Sequence, residues 1–292
     1  MPFDKENWFT EALDETGTAF SLKLKSKLHE EQTPYQKIEI FDTQTFGKLM
    51  VIDGCTMVSS RDNFLYHDMM AHPALFTHPA PRRVLIIGGG DCGTLREVLK
   101  HPEIKQAWQV DIDERVTRLS EKYFPELCES NQDPRAELHF SDGIQWLREA
   151  GHDSLDVIIV DSTDPIGPGE VLFTEEFYRH CRRALTHEGI LVQQSESPLL
   201  HQDILLNMYQ RMQAAGFSQQ ASLNFPQPIY PSGWWSATLA GNTDLQRFRE
   251  QDVRQKTFDC RYYNAEIHKG ALAVPEFMKK ADKKHRIRNP AD

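Results

Sequence analysis

Hydrophobic and polar positions follow a strand-like pattern in the first part of the chain. Apolar and polar residues alternate around Leu22 and again around Ile38, which is typical of half-buried β-strands. Asp53-Gly54 follows an apolar run and predicts a two-residue hairpin turn. A short helix is predicted over residues 62–71, because a histidine-proline pair and a proline-rich link come next. We therefore predict a small N-terminal β domain over residues 1–78.

From Arg82 onward, segments with strand and helix patterns alternate. The predicted strands cover 82–88, 106–112, 136–141, 155–161 and 189–194, and the predicted helices cover 93–100, 113–123, 143–150, 174–185 and 198–215. Two later apolar segments, 218–228 and 234–240, predict an antiparallel hairpin at the edge of the sheet. The alternation predicts an α/β fold, a Rossmann-type parallel sheet with helices on both faces, over residues 79–292.

The first strand of this second domain runs directly into a glycine-rich turn. Gly88, Gly90 and Gly93 fit the spacing of a dinucleotide-binding turn, but Asp91 lies between them, where a pyrophosphate would bind. Two unit charges about 4 Å apart interact by about 4 kcal/mol at an effective dielectric near 20. Since the carboxylate repels phosphate and attracts cations, we predict a pocket for a nucleoside that carries positive charge.

Acidic residues recur where four consecutive predicted strands end. Asp91 follows the first strand, Asp111 the second, Asp142 the third, and Asp161 and Asp164 the fourth. The carboxyl ends of parallel strands form the ligand crevice of an open α/β sheet, so we expect these side chains to share one site. Carboxylates that lie close together raise one another's pKa unless a cation compensates them. We expect the substrate to supply that cation.

The positions of two of these acids indicate roles at the nucleoside. Asp111 ends the second strand, where a carboxylate accepts hydrogen bonds from both ribose hydroxyls. Asp142, followed by Gly143, is placed to accept from an adenine amino group. A helix N-cap explains Asp142 equally well, because aspartate accepts from the free N–H groups of a first turn.

Composition narrows the function classes. The net charge of −10, from 33 basic and 43 acidic residues, disfavours non-specific nucleic-acid binding and favours the approach of cationic small molecules. No apolar run is long enough to cross a bilayer and no signal-peptide pattern is visible, so a cytoplasmic location without membrane contact is predicted. The five cysteines form no C-x-x-C pair and the twelve histidines no H-E-x-x-H motif, so no metal site is predicted.

Five segments resemble, in the correct order, motifs of the spermidine synthase family of aminopropyltransferases. They are RDNFLYHDMM (61–70), GGGDCGTLREV (88–98), DPRAELHFSDG (133–143), DVIIVDSTDPIGPGE (156–170) and CRYYNAEIHKGALAVP (260–275). The resemblance covers nearly the whole chain. It implies a methyltransferase-like Rossmann sheet with a small N-terminal β domain, in a homodimer or homotetramer. It also implies transfer of an aminopropyl group from decarboxylated S-adenosylmethionine, a co-substrate, to putrescine, without a cofactor.

The same resemblance implies a role for individual side chains. Asp161 is the expected proton acceptor, and Asp91 is expected to bind the aminopropyl ammonium. The residues expected to hold the nucleoside are Gln36, Asp111, Asp142, Gly143 and Pro168. The residues expected along the diamine channel are Tyr66, His67, Asp161, Asp164 and Tyr230, with Ser162 and Thr163 as further substrate contacts.

Three positions depart from the family pattern. Cys92 replaces a common glycine, Asp111 a commoner glutamate and Met57 a common glutamine, and we expect these changes near the nucleoside. A small side chain at Cys92 is expected to be tolerated. Trp234 and Trp235 are expected to be one core residue and one wall of the pocket, in an order that the sequence does not settle.

Other functions remain open at this stage. An S-adenosylmethionine-dependent methyltransferase would share the sheet and the glycine turn. A related aminopropyltransferase would use cadaverine, agmatine or spermidine as its acceptor. A catalytically silent nucleoside-binding protein and an NAD dehydrogenase are weaker alternatives, because the acids that suit a cationic substrate are all present.

Overall fold

The computed structural model describes residues 7–163 and 167–279, apart from the side chain of Pro168. Within this part of the chain the strands form two sheets. The first is an antiparallel meander in chain order: β1 (Trp8–Leu13), β2 (Thr18–Gln32), β3 (Lys37–Thr43), β4 (Lys48–Ile52) and β5 (Cys55–Ser59). The small N-terminal β domain that the alternating pattern predicts is confirmed.

The second sheet contains the strands predicted after residue 82. They are β6 (Arg83–Gly88), β7 (Gln106–Asp111), β8 (Ala136–Phe140), β9 (Leu155–Asp161), β10 (Leu185–Gln194), β11 (Gln219–Pro226) and β12 (Trp234–Gly241). Their spatial order is β11-β12-β10-β9-β6-β7-β8, with β6 to β10 parallel and β12 antiparallel to both β10 and β11. The predicted Rossmann-type sheet with its edge hairpin is confirmed.

Helices cover both faces of this sheet. They are α1 (Asn63–Thr77), α2 (Gly93–Leu99), α3 (Glu114–Tyr123), α4 (Gly143–Glu149), α5 (Glu175–Ala184), α6 (Gln202–Ala214), α7 (Glu250–Gln255) and α8 (Ala265–Ala271). Apolar side chains of α1, α2, α7 and α8 pack on one face, and those of α4, α5 and α6 pack on the other. Among the described helices, none combines the length and apolar character needed to span a membrane.

Three predicted boundaries are wrong. α1 continues to Thr77, with Pro73 inside it, rather than ending at residue 71. Proline removes one backbone donor from a helix, but α1 is buried along most of its length, and that packing maintains the helix beyond the proline. β10 begins at Leu185, and a register shift before Ile190 absorbs the polar residues between them. α6 begins only at Gln202.

α1 packs within the core of the larger sheet. It contacts α2, β9, β10 and β11, and its Met69, Met70 and Leu75 are fully buried there. The sequence boundary proposed at residue 78 places this helix with the N-terminal domain. That boundary remains a prediction, whereas the packing shows that α1 stabilises the sheet that carries the strand-end acids.

The order of the strands brings these acids to one crevice. The chain runs outward from β6 through β7 to β8 and then returns to β9, which lies on the opposite side of β6. A crevice opens at the carboxyl edge of a parallel sheet where the strand order reverses in this way. Gly88, at the end of β6, lies opposite Asp161, at the end of β9. The glycine turn and the fourth-strand acid are therefore neighbours.

Two glycines of the turn allow this close approach. Gly88 has a φ of +80°, and a Cβ added there would lie 2.2 Å from the carbonyl oxygen of Asp161. A Cβ on Gly93 would lie 2.1 Å from Cε1 of His67, so α2 begins directly against the imidazole ring. The glycine spacing therefore serves the packing of β6, β9 and α1 around the turn.

We expect Gly93→Ala to lower the free energy of unfolding by about 1–3 kcal/mol, because the added methyl overlaps the buried imidazole of His67. Gly270→Ala is the matched control, since a Cβ at this helical glycine meets no atom within 4 Å. That variant should be neutral or slightly stabilised. Denaturant unfolding of both variants tests the expectation, and equal stability of Gly93→Ala and the parent would contradict it.

Candidate functional site

A cavity of about 410 Å³ lies at the carboxyl edge of the larger sheet, with β4 and β5 of the N-terminal sheet forming part of its wall. Its volume is within the range of small-molecule sites. The predicted site residues that line it are Gln36, Tyr66, Asp91, Asp111, Asp142, Gly143, Asp161, Ser162, Thr163 and Tyr230. Asp164 lies outside the described residues, and so does the side chain of Pro168.

Asp161 is held by one hydroxyl group on each carboxylate oxygen. The Tyr66 hydroxyl donates to Oδ1 at 2.7 Å, and the Thr94 hydroxyl donates to Oδ2 at 2.6 Å. The two donors come from different helices, α1 and α2, while Asp161 itself ends β9. The carboxylate is therefore fixed where α1, α2 and β9 meet beside the cavity.

Asp91 is paired with His67 rather than left without a partner. The imidazole Nε2 lies 3.1 Å from Oδ2 of Asp91, and the backbone N–H of Gly93 donates to Oδ1 at 2.8 Å. The expectation that the strand-end acids lack any protein cation is therefore wrong for Asp91. His67 is 2% exposed and lies behind Asp91, so its predicted place along the diamine channel remains a prediction.

The charges of Asp161, Asp91 and His67 influence one another. Burial raises the pKa of Asp161, and the negative charge of Asp91 raises it further. Burial also acts to raise the pKa of Asp91, but His67 outweighs it and the pKa of Asp91 is lowered. Burial acts to lower the pKa of His67, yet the carboxylate of Asp91 raises it above its usual value. The arrangement keeps Asp91 ionised and gives Asp161 the higher proton affinity of the two acids.

Asp111 also lines the cavity, at the end of β7. Its Oδ1 accepts the backbone N–H of Asp113 at 2.8 Å. Burial, with the nearby charges of Asp113 and Asp161, raises the pKa of Asp111 to about 6. With this pKa, Asp111 is mostly ionised at neutral pH. Its carboxylate can therefore accept hydrogen bonds from the ribose hydroxyls, and that contact remains a prediction.

Gln36 is anchored to the start of α3. Its Nε2 donates to Oδ2 of Asp113 at 3.1 Å, and the hydroxyl of Thr33 donates to the same oxygen at 2.7 Å. Oδ1 of Asp113 accepts from the backbone N–H of Arg115 and caps the helix. One carboxylate thus connects the N-terminal sheet to the larger domain beside the cavity.

Asp142 caps α4, as one of the two sequence interpretations expects. Its Oδ1 accepts the backbone N–H of Ile144 at 2.8 Å. The side chain also borders the cavity, next to Gly143. The structure shows the N-cap role of Asp142, and its contact with adenine remains a prediction.

Aromatic rings form another part of the wall of the cavity. The ring centroids of Tyr66 and Tyr230 are 5.8 Å apart, and those of Tyr230 and Trp235 are 4.8 Å apart. The Tyr230 hydroxyl donates to the carbonyl of Met57 at 2.7 Å, which places both residues at the cavity. Trp235 is a core residue that lines only the smaller adjoining chamber, whereas Trp234 is half-buried against Phe277.

A chamber of about 30 Å³ adjoins the main cavity behind these rings. Glu11 of β1 lines it, and Oε2 of Glu11 accepts from both the backbone N–H and the hydroxyl of Thr56. Glu11 and Thr94 were not predicted as site residues from the sequence. The only sequence signal for Glu11 is an acid within a strand pattern, and no signal marks Thr94, because its role depends on a contact with the distant Asp161.

Cys92 lies behind the glycine turn and is not among the described residues that line the cavity. Its φ is +68°, a left-handed conformation that favours the glycine common at this position. The buried sulfur accepts from Nε2 of Gln109 at 3.5 Å and donates to the carbonyl of Gly90 at 3.6 Å. The cysteine is accommodated, as expected, through these contacts.

A cluster of possible metal ligands lies apart from the cavity. Ligand atoms of Asp68, His72 and Cys260 lie within 4.8 Å of one another. His72 already contacts Glu97 at 3.1 Å, and Oδ2 of Asp68 accepts the backbone N–H groups of residues 262 and 263. The bonds to Asp68 attach the segment around residues 262 and 263 to α1, and the His72–Glu97 contact joins α1 to α2. The absence of a metal site remains a prediction.

Comparisons with known proteins agree with this geometry. Residues 63–251 match the family model of the spermine/spermidine synthase domain, and residues 7–59 match that of the spermidine synthase tetramerisation domain. A polyamine aminopropyltransferase of Methylococcus capsulatus is 66% identical over 275 residues, covering 94% of this chain and 96% of its own. One from Nitrosococcus oceani is 62% identical over 282 residues, covering 97% and 99%.

Solved structures show the same fold. A crystal structure of spermidine synthase in complex with the transition state analogue AdoDATO has a TM-score of 0.91 at 36% identity and covers 95% of both chains. Spermidine synthase from Thermotoga maritima has a TM-score of 0.89 at 36% identity, covering 95% of this chain and 94% of its own. The chain therefore belongs to the spermine/spermidine synthase family of polyamine aminopropyltransferases, as the five sequence motifs predicted.

Proposed function

We propose that this enzyme transfers the aminopropyl group of decarboxylated S-adenosylmethionine to putrescine, with spermidine and 5′-methylthioadenosine as products. One observation carries the proposal: the described residues lining the large cavity include five aspartates and no lysine, arginine or histidine. The five are Asp53, Asp91, Asp111, Asp142 and Asp161. Both proposed substrates are cations, and their charge compensates carboxylates that line one cavity.

The donor is proposed to lie along the glycine turn. Asp111 accepts from the ribose hydroxyls, and Asp142 and Gly143 contact the adenine. Asp91 binds the aminopropyl ammonium. Ordinary S-adenosylmethionine carries a carboxylate at that end of the molecule, and the ionised Asp91 repels it. Gln36 and Pro168 belong to the same proposed nucleoside site.

The acceptor amine is proposed to lie between Asp161 and the aromatic wall. A primary amine has a pKa near 10, roughly that of lysine, so its ammonium must lose a proton before it reacts. Asp161 accepts this proton. The free nitrogen then forms a bond to the methylene beside the sulfonium while the carbon–sulfur bond breaks, and the electron pair remains on sulfur. Tyr66, Ser162, Thr163, Asp164 and Tyr230 are proposed to orient the amine.

This chemistry depends mainly on positioning. The thioether leaves as a neutral molecule, so the proposed step needs neither a cofactor nor a metal to stabilise a leaving group. Holding amine and methylene in line converts a bimolecular encounter into a reaction within one complex, which contributes several kcal/mol to lowering a barrier, about 7–11 in favourable cases. The fixed carboxylate of Asp161 helps to hold the amine in line with the methylene.

An aminopropyltransferase with a different amine acceptor is the second candidate. The small chamber lined by Glu11 lies beyond the aromatic wall, where a longer amine would extend. A methyltransferase is disfavoured, because the amino-acid carboxylate of its donor would face Asp91 without a basic residue among the described lining.

The assembly is proposed to be a homo-oligomer. The match of residues 7–59 to a tetramerisation domain supports a homotetramer over a homodimer. A cytoplasmic location is also proposed, in keeping with the sequence prediction.

Product analysis tests the proposed reaction directly. The enzyme is incubated with isotope-labelled decarboxylated S-adenosylmethionine and a panel of amines, and the products are identified by mass spectrometry. We expect labelled spermidine from putrescine and 5′-methylthioadenosine in equal amount. A preferred product from cadaverine, agmatine or spermidine would support the second candidate. Methylated amines, or no transfer to any amine, would contradict both.

We expect Asp161→Asn to lower kcat by at least about 100-fold, because the amide does not accept the ammonium proton. Asp259→Asn is the matched control, since Asp259 is exposed and lies outside the lining of the cavity. Steady-state rates from pH 7 to 9 provide the measurement. A near-normal rate for Asp161→Asn would refute the role of Asp161 as proton acceptor.

We expect Asp91→Asn to narrow the preference for decarboxylated over ordinary S-adenosylmethionine by about tenfold or more, since one charge–charge contact supplies that discrimination. The ratio of the two Kd values, measured by calorimetry, is the readout. Asp142→Asn is the control: it changes the nucleoside end that both donors share, so its ratio should match the parent. If the ratio of Kd values in Asp91→Asn equals that of the parent, Asp91 does not repel the carboxylate of ordinary S-adenosylmethionine.

A further inference from the structure

Thr94 lies within the glycine-turn motif at 88–98, and its buried hydroxyl contacts Asp161, which is 67 residues later in the chain. It is the second residue of α2, is fully buried, and its Oγ1 lies 2.6 Å from Oδ2 of Asp161. An ionised carboxylate only accepts hydrogen bonds, so the single hydroxyl proton of Thr94 is directed at this oxygen. A hydrogen bond to a charged partner is stronger than one between neutral groups.

The second oxygen of Asp161 has its own donor. The Tyr66 hydroxyl lies 2.7 Å from Oδ1, so each oxygen of the carboxylate accepts one hydroxyl. Rotation about χ2 of aspartate is only weakly restricted by the side chain itself. A single donor would leave the carboxylate free to turn about that contact. Donors on both oxygens, from α1 and from α2, fix its plane.

We propose that Thr94 is a positioning residue for the proton acceptor Asp161, holding the carboxylate in its reactive orientation and in its ionised form. This inference rests on the proposed function, in which Asp161 accepts the ammonium proton. Thr94 acts through Asp161 and is not among the described residues that line the cavity.

The surroundings of Asp161 explain why such a donor is needed. The charged and titratable groups that face it are Tyr66 and His67 from α1, Asp91 from the glycine turn and Asp111 from the end of β7. Burial and Asp91 raise the pKa of Asp161, whereas His67 and the hydroxyls of Thr94 and Tyr66 lower it. Without Thr94, Asp161 would hold its own proton to a higher pH, so a smaller fraction of the enzyme would carry the ionised carboxylate that accepts the ammonium proton.

The test compares Thr94→Val, which replaces the hydroxyl by a methyl of similar size, with Thr94→Ser, which retains the hydroxyl. Thr117→Val is the matched control. Thr117 is also fully buried beside the turn, but its hydroxyl donates to the backbone carbonyl of Gly90 at 2.9 Å. The readout is the pH profile of kcat/KM for putrescine with saturating decarboxylated S-adenosylmethionine. Thr94→Ala replaces Thr94→Val if the valine variant does not fold.

We expect the acid limb of the Thr94→Val profile to move up by roughly one pH unit, and kcat at pH 7 to fall about tenfold. Thr94→Ser should restore the parent profile, and Thr117→Val should leave the limb in place. A Thr94→Val profile that coincides with the parent, or a loss of rate without movement of the limb, would overturn the proposal.

Failure of the proposed function gives a different result. In that case the parent enzyme itself transfers no aminopropyl group, and the carboxyl resonance of Asp161 in the free protein becomes the readout. Its titration midpoint, followed by NMR with carboxyl-labelled aspartate, should rise in Thr94→Val and not in Thr117→Val. An unmoved midpoint would overturn the role of Thr94 independently of any substrate.

Discussion

Three half-buried carboxylates around one cavity repel one another, and the rest of the site is arranged around that constraint. Asp91 is compensated by His67, Asp161 by two hydroxyl donors and Asp111 by a backbone N–H group. The compensation of Asp111 and Asp161 is partial, because their pKa values remain raised, whereas the pKa of Asp91 is lowered. Negative charge is thus left in a cavity of about 410 Å³, and a cationic substrate lowers its electrostatic energy when it binds.

The fold supplies this arrangement through the order of its strands. β6, β7 and β9 each deliver an acid to the same edge, and the reversal of strand order between β6 and β9 opens the crevice there. Compensating groups come from the helices: His67 and Tyr66 from α1, and Thr94 from α2. Because Gly93 has no side chain, α2 begins directly against the His67 ring of α1. The packing of α1 and α2 on the sheet therefore also determines the orientation of Asp161, the proposed proton acceptor.

The larger features of the fold follow from local patterns and could be predicted. Alternating apolar residues predict the N-terminal strands, and strand-end acids predict the common edge, because both depend on short stretches of sequence. The local chemistry at Pro73 predicts the end of a helix, but tertiary packing maintains α1 beyond it. The His67–Asp91 and Thr94–Asp161 contacts join residues far apart in the sequence. Their pairing depends on how α1 and α2 cross the sheet, which no local pattern specifies. The left-handed conformation at Cys92 is likewise visible only in the structure.

The central claim, that this crevice selects ligands by positive charge, is tested most directly by calorimetric titration of the parent enzyme at one ionic strength. Three ligands are compared: decarboxylated S-adenosylmethionine, the neutral 5′-methylthioadenosine and NADH. We expect the cationic donor to bind at least about tenfold more tightly than the neutral thioether, and the dinucleotide to bind weakest. Tight binding of NADH, or equal affinity for the cationic and neutral nucleosides, would contradict it.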